Sequence, residues 1–149
     1  MTSLFVPADR ESLSRRLAAL EPGSVRQWGK MDPAQMLHHC ALGLEAGTGD
    51  RPMEQLFIGK LLSPFFRGLV LGKRPFSRNG PTHPTFVVSD AQDFERECTR
   101  LATLIDRFVQ RGPESAGRFT HAFLGRISGD DWGRLMYKHL DHHLRQFGV

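Results

Sequence analysis

The chain has 149 residues, 40% of them hydrophobic, which is typical of one domain with a buried core, so we expect a single domain over residues 1–149. Twenty Lys and Arg against 16 Asp and Glu leave a formal net charge of +4, and because the basic residues are scattered, they do not indicate a nucleic-acid partner. Two cysteines, Cys40 and Cys98, are too few for a disulfide framework and favour a cytoplasmic location.

Neither a signal peptide nor a membrane span is expected. Charged residues interrupt the first twenty positions, and the most apolar stretch, residues 56–71, contains Lys60, Pro64 and Arg67. It falls short of the roughly 20 apolar residues that a span requires, so we expect a soluble protein with no membrane partner. The same stretch holds more apolar side chains than a small bundle easily covers, which predicts a homodimer; an amphipathic segment on a membrane surface is the alternative.

The first two helices follow from apolar spacing and capping residues. A helix over residues 9–20 has one apolar stripe, formed by Leu13, Leu17 and Leu20. Asp32 and Gln35 have the spacing of a capping box, so a second helix begins there. It runs to about Glu45, where Gly47 and Gly49 are expected to stop it.

The middle of the chain is less regular. Residues 53–71 predict two short helices broken at Ser63-Pro64, because proline cannot continue the helical hydrogen-bond ladder. Residues 72–88 contain several prolines and glycines and predict a long irregular segment.

Two further long helices complete the chain. Ser89 or Asp90 can cap the third long helix, which is expected to end near Gly112-Pro113. Ser128 and Asp131 have capping-box spacing at the start of the last helix, which runs almost to the end. Because no segment alternates with period two, sheet is not expected. The sequence predicts an all-α four-helix bundle with short extra helices between the second and third long helices.

Histidines supply the clearest functional signal. On the wheel of the last helix, His143 lies roughly 20° and His139 roughly 60° from the centre of the buried stripe, whereas His142 lies about 120° away. Two imidazoles one turn apart on an inward face can bind one metal ion. The alternative is a pair of core-edge histidines satisfied by hydrogen bonds.

A third ligand is available on the second helix. There His39 lies closer than His38 to the buried side. His39, His139 and His143 can therefore converge in a helical bundle, and three neutral nitrogens with an open position are typical of a catalytic metal site.

Three segments then make the sequence recognisable: Trp28-Gly29-Lys30-Met31, Gln35-Met36-Leu37-His38-His39, and residues 138–148 with the pattern Lys138-His139-Leu140-Asp141-His142-His143. They resemble the DinB/YfiT-like superfamily of metalloenzymes, and most closely an uncharacterised branch named as a domain of unknown function. The resemblance spans residues 28–149, and it includes Phe123-Leu124-Gly125 and Asp131-Trp132.

The resemblance implies a four-helix bundle whose cavity holds a divalent metal through three histidines, one from the second helix and two from the last. In this sequence those positions are His39, His139 and His143. Characterised relatives include transferases and isomerases that use low-molecular-weight thiols. The resemblance also places His121 near the cavity mouth, where it is a candidate for substrate contact or proton transfer; a hydrogen bond bracing the loop is the alternative.

Other candidates are weaker. Cys40 and Cys98 are expected to be small core residues rather than nucleophiles. Lys73, Arg74 and Arg78 make the long loop basic, which fits a solvated loop or a lid that attracts an anionic substrate.

The leading functional hypothesis is a metal-dependent enzyme acting on a small molecule, by thiol transfer or hydrolysis, with zinc or nickel as the divalent ion. The alternatives are a non-catalytic bundle that binds a metal or small ligand, and a structural dimer whose histidines have no such role.

Overall fold

The computed structural model describes residues 2–80 and 82–149 and is mainly helical, in agreement with the all-α prediction. In chain order the elements are α1 (Pro7–Ala18), α2 (Pro33–Thr48), α3 (Phe57–Leu71), a 3-10 turn (Pro84–Phe86), α4 (Phe94–Ala116), β1 (Thr120–His121), β2 (Gly125–Arg126) and α5 (Gly129–Gln146). None of the helices in this part of the chain combines the length and hydropathy that crossing a bilayer requires.

The predicted capping box starts α2. The Asp32 carboxylate accepts from the Gln35 backbone N–H at 2.8 Å, and Gln35 Oε1 accepts from the Asp32 N–H at 3.0 Å. The helix ends later than expected, at Gly49, whose φ of +80° suits a left-handed C-cap. Gly47 lies inside the helix, where the rings of Phe108 and Trp132 pack closely against it.

The expected break in the apolar segment is a kink. Residues 57–71 are labelled α3 as a whole, but non-helical angles at Leu62, two residues before Pro64, divide them into two helical segments, as predicted. The proline removes one helical hydrogen bond and crowds the preceding turn, so the bend precedes it. Residues 53–56, which the sequence assigned to a helix, are not helical.

The third long helix starts later than predicted, and it is interrupted at Gly112, where the sequence predicts its end. Its N-cap is Asp93, which accepts from the Arg96 N–H at 2.7 Å, rather than Ser89 or Asp90. The chain bends at Gly112, where φ is +74°, and helix resumes from Pro113 to Ala116. The left-handed φ of Gly112 interrupts the helix near the predicted end, and Pro113 is tolerated because it stands in the first turn of the short helical segment that follows.

Other differences are small. Helix α1 covers Pro7–Ala18 rather than residues 9–20. The prediction of no sheet is wrong for β1 and β2, which form a short antiparallel hairpin with His121 opposite Gly125. Two-residue strands are too short for alternation to be visible in a sequence.

The core forms where α2 packs against both α4 and α5, while α1 packs on α5. Its central side chains are almost wholly buried: Leu37, Leu44, Leu101, Phe108 and Trp132. Helix α3, the hairpin and the irregular segment before α4 lie at the side of α2 and α5, where they enclose a cavity.

Candidate metal centre

The three histidines singled out from the sequence meet in the folded chain. His39 projects from α2 and His139 and His143 from α5, and one ring nitrogen of each lies within 4.8 Å of the other two. The Nε2 atoms of His39 and His139 are 2.9 Å apart. His39 and His143 are buried, and His139 is partly exposed.

A glycine on α2 lets the second ring approach. Gly43 follows His39 by one turn, and a Cβ atom there would lie 3.1 Å from both Nδ1 and Cε1 of His139. The absence of a side chain at position 43 therefore gives the His139 ring its place between α5 and α2.

The tautomer of His39 follows from a backbone contact. Its Nδ1 lies 2.8 Å from the carbonyl oxygen of Phe86, and a carbonyl can only accept. Nδ1 therefore carries the proton and donates it, which leaves a lone pair on Nε2, the nitrogen that faces His139.

His143 is oriented in the same way by Gln146. Its Nδ1 lies 3.0 Å from Gln146 Oε1, and Gln146 Nε2 donates to the carbonyl oxygen of Trp28 at 2.8 Å. The second bond requires the amide nitrogen to face Trp28, so the amide oxygen must face His143 and accept from Nδ1–H. Outer hydrogen bonds of this kind orient the histidines of metal sites.

Burial keeps these rings neutral. It lowers the pKa of His143 to about 3, with the charge of His39 adding to the effect and the Gln146 hydrogen bond opposing it. Burial also lowers the pKa of His39, and it lowers that of His139 well below the usual range, with His143 and His39 contributing. Neutral imidazole is the form that binds a metal ion.

The donor set fits a divalent ion. Zinc lies about 2.0–2.1 Å from imidazole nitrogens, so two ligands at a tetrahedral angle have nitrogens about 3.3 Å apart. The Nε2 atoms of His39 and His139 are 2.9 Å apart, and the longest distance between ligand nitrogens of the three histidines is at most 4.8 Å, so the value of about 3.3 Å lies within the observed range. Three imidazoles suit zinc, nickel, copper or iron better than calcium or magnesium, which prefer oxygen.

The three histidines line one wall of a cavity of about 370 Å³. Its remaining walls come from the turn at residues 28–31, from α3, from residues 76–80 and 82–86, and from the hairpin. A volume of this size is within the range of sites for small organic molecules.

A comparison with protein families decides the membership of this chain. The family model described as "Protein of unknown function (DUF1569)" matches residues 3–148. The chain belongs to this family. No curated protein and no solved structure matches this chain.

In this DUF1569 member the two histidines adjacent to the trio have other surroundings. His38 faces α4, where its Nδ1 lies 3.1 Å from the Glu97 carboxylate and 3.0 Å from Arg100 Nη1. His142 lies at the edge of the cavity, with its ring centroid 5.8 Å from those of Trp28 and Phe76.

His121 lies in the cavity wall, and its Nδ1 braces the hairpin. The backbone N–H groups of Phe123 and Leu124 both donate to that nitrogen, each at 3.2 Å. Burial lowers the pKa of His121 to about 4, so the ring is neutral and its proton is on Nε2. The bracing bond that the sequence left as an alternative is present, and the ring keeps one N–H donor; its catalytic role stays a prediction.

The cysteines and the basic loop do not join the cluster. Cys40 is buried with its Sγ 3.6 Å from Met36 Sδ, and burial raises the pKa of its thiol. Cys98 is only partly buried, and its thiol pKa is also raised, by burial and then by Glu95. Arg78 stacks over the Trp28 ring at 4.3 Å, which anchors the basic loop beside the cavity.

Two groups that orient the histidine rings were not predicted from the sequence. Gln146 could have been found, because it lies three residues after His143 and so near it on one helix face. The carbonyl of Phe86 could not, since every residue has one and 47 positions separate it from His39.

Proposed function

We propose that this DUF1569 member is a metal-dependent enzyme with a DinB-like four-helix bundle, in which His39, His139 and His143 hold one divalent ion, zinc or nickel. The observation that carries the proposal is the orientation of two rings. The Nδ1–H groups of His39 and His143 are engaged by Phe86 and Gln146, so both Nε2 lone pairs remain for a ligand.

The arrangement of helices supports the DinB-like assignment. Helices α2, α4 and α5 pack together and α1 packs on α5. The single histidine of the trio is on α2 and the pair is on the last helix, which is the distribution that the resemblance implies.

A divalent ion held by three neutral imidazoles is a Lewis acid that lowers the pKa of a bound water or thiol. The chain contributes orientation of the ligands, a largely apolar cavity beside them, and the Nε2–H donor of His121. We propose a small-molecule substrate. Transfer of a low-molecular-weight thiol to an electrophile and hydrolysis are the two reactions that this chemistry would serve.

Metal binding by adjacent-residue variants tests the site. His39→Ala and His143→Ala should each lose tight binding of zinc and nickel, because each removes an inward-facing ligand. His38→Ala and His142→Ala are the matched controls and should retain most of it, since those rings lie outside the trio. Equal losses in His142→Ala and His143→Ala, or identical melting curves with zinc and with chelator at pH 8, would contradict the proposal.

Turnover separates an enzyme from a non-catalytic binding protein. Zinc- or nickel-loaded protein and metal-free protein are each assayed for two reactions. Thiols with electrophilic acceptors test thiol transfer, and esters and amides test hydrolysis. Metal-dependent product formation supports the enzyme. Full metal loading without product from any of these classes would favour the alternative, a bundle that binds metal or a small ligand.

A further inference from the structure

The wall of the cavity carries almost no charge. Among the described residues that line it there is no Asp, Glu or Arg, and Lys30 is the one cationic side chain. The histidines of the trio are neutral when their nitrogens act as ligands. Any charge on a bound molecule would therefore find few partners in the wall.

Aromatic side chains form much of that wall. Phe66 of α3 packs on Phe123 of the hairpin with ring centroids 5.3 Å apart. Trp28, Phe76, Phe86 and Trp132 line the cavity as well. Aromatic surfaces of this kind favour an apolar body, and they disfavour charged groups that would lose their hydration.

A divalent ion bound by the three histidines would have no carboxylate beside it among the described lining residues. Three imidazoles leave both positive charges of a divalent ion uncompensated, and an unpaired charge beside apolar walls is costly. Since the described wall contains no carboxylate, the counter-charge must come from a group bound to the ion, and an anionic donor group on the ligand would supply it.

Building on the proposed function, we propose that the cavity takes a ligand with an uncharged, mainly aromatic body and one anionic donor group, such as a thiolate, directed at His39, His139 and His143. A thiol with several charged groups, such as glutathione, or a nucleotide would place charges against aromatic walls, where Lys30 is the one Lys or Arg among the described lining residues. The preferred thiol is therefore an apolar one.

Tryptophan fluorescence can report ligand binding in the cavity. Its two tryptophans, Trp28 and Trp132, both line the cavity, so intrinsic fluorescence measures occupancy without any catalytic assay. The probes are butylbenzene, 4-phenylbutane-1-thiol and glutathione, each titrated into zinc-loaded and metal-free protein.

Butylbenzene should bind both forms equally, because it has no donor group. Zinc should strengthen the binding of 4-phenylbutane-1-thiol about tenfold or more, and glutathione should bind the loaded protein at least about tenfold more weakly than that thiol. Phe66→Glu should weaken both apolar probes, since it puts a carboxylate into the wall. Val25→Glu is the control, because Val25 is exposed and lies outside both α3 and the cavity wall.

Glutathione binding as tightly as 4-phenylbutane-1-thiol would overturn the proposed ligand class even if zinc binds. Equal effects of Phe66→Glu and Val25→Glu on butylbenzene binding would overturn it as well. Failure of zinc to bind would overturn the proposed function instead. In that case butylbenzene binding to metal-free protein still supports an apolar ligand body. The proposal of an anionic donor group is then refuted together with the metal site.

Discussion

The side-chain amide of Gln146 connects the ring of His143 to the backbone of Trp28. Its Oε1 lies 3.0 Å from His143 Nδ1 and its Nε2 lies 2.8 Å from the Trp28 carbonyl oxygen. The next residue, Gly29, has φ +81°, and a Cβ atom there would lie 2.3 Å from Gln146 Nε2. The close approach of this turn therefore requires glycine, and it holds the amide in one orientation.

The side-chain amide of Gln146 should strengthen metal binding. We expect Gln146→Leu, which is similar in size, to weaken zinc binding about 10- to 100-fold, because His143 loses the partner that selects its tautomer. Competition with a chromophoric chelator measures the change. Gln110→Leu, at an exposed position on α4, is the control. Unaltered affinity in Gln146→Leu, with folding verified by its melting curve in chelator, would show that the amide does not orient the ligand.

Acid should destabilise the metal-free protein. Burial lowers the pKa of His143 to about 3 and that of His121 to about 4, whereas histidine in the unfolded chain titrates near 6.5. Below pH 6.5 the unfolded state binds protons that the folded state does not. Each ring thus contributes stability that is complete above pH 6.5 and is lost as the pH falls towards the folded value, at up to about 1.4 kcal/mol per pH unit.

The measurement is a series of melting curves in chelator from pH 8 to pH 4. The melting temperature should decline below about pH 6.5, and His121→Phe should make the decline shallower because one titrating ring is absent. A melting temperature that stays constant between pH 7 and pH 5 would refute burial of these rings in the neutral form.

The exposed face of α3 should mediate self-association. Six apolar side chains on this helix are between 41% and 82% exposed: Phe57, Ile58, Leu61, Leu62, Phe65 and Leu69. They expose an apolar area on the order of several hundred Å², a large share of the roughly 800 Å² that each partner contributes to a standard interface. This agrees with the homodimer expected from the sequence, which stays a prediction.

Sedimentation velocity at micromolar concentration tests the dimer. The double variant Phe57→Glu/Phe65→Glu should shift the protein to monomer, because two carboxylates would be buried without partners. Val25→Glu, at an exposed apolar position outside α3, should leave the dimer intact. A wild-type chain that is monomeric throughout would remove the prediction.

Lys138 of α5 should hold α3 against the cavity. Its Nζ donates to the carbonyl oxygens of Leu69, Val70 and Gly72 at 3.0–3.1 Å, at the C-terminal end of α3. We expect Lys138→Met to cost about 1–2 kcal/mol in urea unfolding and to speed hydrogen exchange of α3 amides. Lys60→Met, on the exposed side of α3, is the control. Equal exchange in both variants would argue against this anchoring role.

Features of this protein that depend on residues close together in the chain could be predicted from its sequence. The cap at Asp32 is a contact over three residues, and the pairing of His139 with His143 is one helical turn. Because 3.6-residue periodicity is a local property of the backbone, the helical wheel distinguishes His143 from His142, and the sequence is enough to predict the histidine trio.

The contacts that surround those residues depend on the tertiary structure. The Phe86 carbonyl that selects the tautomer of His39 is 47 positions away from it, and Trp28 and Gln146 are 118 apart. The inward position of Phe66 and the outward position of Phe65 likewise depend on how α3 docks beside α5. Such contacts are set by the packing of the whole chain, and a backbone carbonyl or an apolar side chain carries no local pattern that indicates its distant partner.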